Sequence, residues 1–66
     1  MSTLVTDHFP DISDFEELLG AAESEARTGW EMDFTSEMRV KYTQFEERMY
    51  LSDKQVAQLK RIAKEQ

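Results

Sequence analysis

Apolar residues recur at three- and four-residue steps in three separate stretches of this chain, the period of helices with one buried face. Phe15, Leu18, Leu19, Ala22 and Ala26 mark the first; Trp30, Phe34, Met38, Tyr42, Phe45 and Met49 the second; Val56, Leu59, Ile62 and Ala63 the third. Each stretch opens with a hydroxyl residue three positions ahead of Glu or Gln: Ser13 with Glu16, Thr28 with Glu31, Ser52 with Gln55. That is the spacing of a capping box, in which the hydroxyl accepts from the fourth residue's amide and the fourth side chain reaches back to the first amide. Stripes and caps together predict helices over residues 13–27, 30–49 and 53–64. A further match, Thr43 with Glu46, falls inside the second stripe and is read as chance.

The second stripe is the strongest, because six residues, four of them aromatic, share a sector about 120° wide. It is read as the core and its helix as the central packing element, the alternative being an exposed docking groove or dimer seam. Leu51 before the third cap and Val56 four residues after it form an apolar staple, which adds Leu51 to the expected core. Gly20 interrupts the first helix at a cost of roughly 1 kcal/mol relative to Ala. Beside Leu18, Leu19 and Ala22, it offers a second backbone a place to approach closely, and this segment is the expected self-association surface.

Residues 1–12 carry Pro10, little periodicity and the single histidine, His8, so they are expected to form a mobile arm ahead of one helical domain over 13–66. The fold class is therefore all-α, a small three-helix domain. A chain of 66 residues buries only about 60% of the surface that its unfolded form exposes, which favours self-association. It has no cysteine for staples. No apolar run approaches the roughly 20 residues that span a bilayer, and the first residues lack the pattern of a secretion signal, so a cytoplasmic protein without membrane contact is expected.

Charge changes the picture more than composition does. The net charge is -6, yet residues 1–38 hold ten acids against Arg27 alone, while the remainder holds seven bases against four acids. Asp14, Glu16, Glu17, Glu23, Glu25, Asp33 and Glu37 form the candidate partner-binding surface, suited to a basic partner through long-range steering. Lys54, Lys60, Arg61 and Lys64 near the other end already have a structural explanation, since cations favour the negative end of a helix.

Catalytic and metal chemistry finds no purchase in this sequence. Glu46 and Glu47 are neighbours and point about 100° apart on a helix, so they do not act as an acid and base pair. Asp11, Ser13 and Asp14 open like a calcium loop but lack the required Gly and distant Glu. His8 has no converging partner nearby, and no glycine loop is present to cradle a phosphate. Neither enzymatic activity nor a cofactor is expected.

One half of the chain, WEMDFTSEMRVKYTQFEERMYLSDKQVAQLKRI, resembles a short helical module of small phage and mobile-element proteins, also found as an extension of replication and recombination proteins. The resemblance rests on Trp30 and Phe34, then Leu51, Ser52, Lys54, Gln55, Leu59 and Ile62. Met49 and Tyr50 depart from it where the module carries Gly or a small residue. It implies a phage or bacterial setting near nucleic-acid machinery and transfers no catalytic residue. The expected function is that of a small acidic interaction protein which binds and modulates, in the sense of inhibiting, a host or phage protein, by nucleic-acid mimicry in one version. Alternatives are an accessory protein that touches nucleic acid through its basic C-terminal helix, and a structural homo-oligomer.

Overall fold

A computed structural model describes residues 2–64. In chain order it consists of β1 (Ser2–Leu4), α1 (Val5–His8), α2 (Ile12–Glu25), α3 (Gly29–Phe45), a 3-10 turn (Glu46–Arg48), β2 (Tyr50–Ser52) and α4 (Asp53–Ile62). The fold is mostly helical, with four helices rather than three and a small antiparallel sheet in place of an all-helical chain.

Ser2–Leu4, within the segment expected to form a mobile arm, are built into this sheet. Ser2, Thr3 and Leu4 stand opposite Ser52, Leu51 and Tyr50. The Val5 amide then donates to the Met49 carbonyl at 2.8 Å, and the Val5 side chain is fully buried. His8 fastens the same joint: its Nε2 lies 3.1 Å from the Leu51 carbonyl and 2.8 Å from Thr3 Oγ1. Because a carbonyl only accepts, the neutral tautomer that makes this contact carries its proton on Nε2. Apart from the His8 contact to Thr3, none of this has a local signal, since the partners lie more than forty residues apart.

Caps decide where the helices begin. Thr28 and Ser52 both form complete capping boxes, with Thr28 Oγ1 accepting from Glu31 N at 3.1 Å and Ser52 Oγ from Gln55 N at 3.1 Å. Backbone amides of Arg27 and Thr28 on the Glu31 carboxylate hold its pKa below the usual range. Ser13 is not a cap. Asp11 takes that position, accepting from the Ser13 amide at 3.1 Å and the Ser13 hydroxyl at 2.7 Å, and both bonds lower its pKa. The Ser13 hydroxyl turns back to donate to Asp11, and with Asp11 as its cap the helix starts one residue early.

The second helix stops at Phe45 and does not continue to Met49. Glu46 adopts a positive φ of 50° there, and the 3-10 turn that follows swings Met49 inward. The core gathers Phe15, Leu18, Leu19, Ala22, Met38, Met49, Leu51, Val56, Leu59 and Ile62 around Val5, with Phe34 and Tyr42 packed at its edge. Its centre is α2, on which α3 and α4 both pack, not α3 as the aromatic stripe suggests. Trp30 and Phe45, expected in the core, are 57% and 54% exposed. The core is filled from α2, α4 and the N-terminal segment, which leaves the ends of the aromatic stripe outside.

This packing also removes the expected self-association surface. Leu18, Leu19 and Ala22 face the chain's own core, and a Cβ on Gly20 would meet nothing within 4 Å. No other backbone of this chain packs against Gly20. No helix among the described residues is long and apolar enough to cross a membrane.

Candidate functional site: the α2–α3 face

The seven acidic residues do not form one surface, because folding sorts them. Glu16 accepts from the Tyr42 hydroxyl at 2.6 Å, and Glu23 receives the Arg39 guanidinium through Nε at 3.1 Å and through Nη2. Glu25 pairs with Lys64 at 3.4 Å. These three carboxylates lace α2 to α3 and to the segment after α4. Asp14, Glu17, Asp33 and Glu37 are exposed and make no ion pair among the described residues.

Two of those free acids stand beside an apolar row that the charge pattern does not reveal. Met32, Ser36 and Val40 follow one another at four-residue steps on α3, and Asp33 and Glu37 form the adjacent row about 60° to 100° further round. Met32 and Val40 are each 53% exposed. Together with Glu23, Ala26, Thr35, Ser36 and Arg39 they line a shallow depression of about 420 Å³ between α2 and α3. Its floor is quiet: the buried Thr35 hydroxyl donates to the Glu31 carbonyl at 2.9 Å and so offers nothing unpaired to a ligand.

The rim carries the electrostatics. Arg39 is held charged, its pKa raised by the hydrogen bonds from its guanidinium to Glu23, and the two-pronged pair fixes one wall of the depression. Asp33 and Glu37 lie outside the lining, on the next row of α3, and make no ion pair among the described residues. Met32 and Val40 were legible in the sequence as apolar residues lying off the main stripe.

A second exposed surface lies on the other flank of α3. Trp30 stacks on Phe34 with ring centroids 5.4 Å apart and planes 5° from parallel. This pair lines a cleft of about 190 Å³ with Ser52, Lys54, Gln55 and Gln58 of the α4 start. Further along, Lys41, Phe45, Arg48, Met49 and Tyr50 line a cleft of about 230 Å³. Tyr50 is 63% exposed. Among the described residues no group of three or more His, Asp or Glu side chains gathers as it would around a metal ion. Against protein-family models, curated proteins and solved structures, the chain shows no match.

Proposed function

We propose that this chain is a small protein-binding module whose α2–α3 face docks on a basic surface of another protein and modulates that protein. The observation that carries this reading is the exposure of Met32 and Val40 in the depression, with the unpaired carboxylates of Asp33 and Glu37 on the adjacent row of α3. Exposed apolar side chains supply the desolvated centre, where most contact energy resides. The adjacent carboxylates raise the encounter rate with a basic surface and select for it. Asp14 and Glu17 add to the field without entering the contact. The resemblance to a phage module supports a partner from nucleic-acid-processing machinery, whose Lys- and Arg-rich surfaces fit the acidic row, and inhibition by occupying such a surface is the simplest mode.

Affinity capture from a bacterial lysate tests it, with Val40→Glu run beside the parent chain. A partner retained by the parent, lost with Val40→Glu and eluted by moderate salt is the expected result. Capture indifferent to both changes overturns the reading.

A second reading has its own observation. Trp30 with Lys54, and Phe45 and Tyr50 with Lys41 and Arg48, combine aromatic faces with cations, the pairing used for single-stranded nucleic acid. Quenching of Trp30 fluorescence by an oligonucleotide at low salt is its test, and an unchanged emission removes it. The chain's net charge of -6 opposes this reading, because phosphate contact depends on neutralisation.

A further inference from the structure

The exposed flank of α3 is complementary to itself. Trp30, Phe34, Glu37, Lys41 and Phe45 are spaced by four, three, four and four residues, which places all five within a sector of about 80°. That spacing is the seam of a helix that packs along a second helix. Glu37 and Lys41 lie at its middle, one helical turn apart, and neither makes an ion pair among the described residues. Aromatic side chains occupy both ends, and Trp30 and Phe45, with Tyr50 just beyond the seam, are more than half exposed.

We propose that two copies of the chain pair antiparallel along this flank, about a twofold axis that crosses α3 at the level of Arg39. The occupant is a second copy because the order of charges is complementary to its own reverse. In a twofold interface every contact occurs twice with the roles exchanged. An axis midway between Glu37 and Lys41 sets Glu37 against the partner's Lys41 and Lys41 against the partner's Glu37. The same axis brings Phe34 within one residue of the level of the partner's Phe45. It sets Trp30 near the partner's Arg48, where a guanidinium can lie on the indole face. A parallel pairing would instead oppose Glu37 to Glu37 and Lys41 to Lys41.

The geometry also limits the strength. α3 has 17 residues and is about 25 Å long, so a single helix face buries less than the roughly 800 Å² per partner of a standard stable interface. The dimer is accordingly a reversible one that fills with concentration. It leaves the Met32 and Val40 row open but takes up Glu37, so Lys41→Glu reads self-pairing alone and Val40→Glu reads capture of a partner alone.

Sedimentation velocity of the full chain, from micromolar to submillimolar protein at low salt, tests the pairing. Four chains are compared: the parent, Glu37→Lys, Lys41→Glu and the double reversal. These side chains are exposed, and circular dichroism verifies that each variant is folded. The parent should move from monomer to dimer with a blue shift of Trp30 emission. Each single reversal sets like charges against each other twice and should weaken the dimer about tenfold. The double reversal restores both pairs and should return the dimer to within about threefold of the parent. A parent that stays monomeric throughout overturns the proposal and leaves the flank to another occupant. A dimer that both single reversals weaken, but that the double reversal does not restore, overturns the antiparallel register.

Discussion

The Tyr42 hydroxyl donates to the Glu16 carboxylate at 2.6 Å, tying α3 to α2 one turn along α3, and two along α2, from the Arg39 and Glu23 pair. This bond needs the phenol proton. The hydrogen bond to Glu16, reinforced by desolvation and the carboxylate's charge, pushes the Tyr42 pKa up to about 12 from 10.0. In the unfolded chain the phenol ionises at its ordinary value, so the raised folded pKa favours the folded state wherever the phenol stays neutral. The contribution is complete below pH 10 and is lost as pH rises through about 12. Alkaline unfolding curves of the parent and Tyr42→Phe should therefore converge across that window. A tyrosinate titration taken as the difference between the two chains should show the midpoint near 12, and Glu16→Gln should lower it. A stability difference that is flat from neutral to strongly alkaline pH would show that the bond contributes nothing.

Removal of residues 1–8 should unfold the protein or lower its stability by several kcal/mol. The deletion strips the partner strand from β2 and takes the buried Val5 out of the core. A milder probe, Val5→Ala, should cost roughly 1 to 3 kcal/mol. Chemical denaturation measures both. A truncated chain as stable as the parent would return these residues to the status of an arm.

The two aromatic classes of residue should separate cleanly on truncation. Phe15→Ala removes a fully buried ring and should destabilise by about 3 to 5 kcal/mol. Trp30→Ala removes a half-exposed one that stacks on Phe34, with an expected loss of about 1 kcal/mol. Equal losses in thermal melts would place Trp30 inside the core after all.

The first cap offers a direct comparison. Asp11→Ala should cost about 1 kcal/mol, as should Ser52→Ala, because each leaves a helix amide without its acceptor. Ser13→Ala should cost less, since its hydroxyl only donates to Asp11. Denaturant midpoints that rank Ser13→Ala above Asp11→Ala would reverse the assignment of the cap.

These contrasts show what was legible in the chain and what was not. Thr28 and Ser52 caps, and the helical period around Met38 and Leu59, depend on residues within one turn, so the sequence displays them directly. The pairing of Ser2–Leu4 with Tyr50–Ser52 is a contact across nearly the whole chain, made by two three-residue strands too short to show an alternating pattern. The exposure of Trp30 and Phe45 was hidden for a related reason. A stripe says which side chains share a face, and only the volume supplied by α2, α4 and Val5 decides how much of that face the core can cover. The acidic surface was visible as a count, but its division between lacing residues, Glu16, Glu23 and Glu25, and free ones, Asp33 and Glu37, depends on where Tyr42, Arg39 and Lys64 arrive.

The central functional claim is that a partner protein sits on the Met32 and Val40 depression. A photoreactive side chain placed at position 40, and as a control at the exposed Ala57 on α4, tests it most directly when the protein is irradiated in lysate. A discrete heavier adduct is expected from position 40, absent from position 57 and suppressed when Asp33 is changed to Lys. Equal adducts from both positions, or an adduct from position 57 alone, would contradict it.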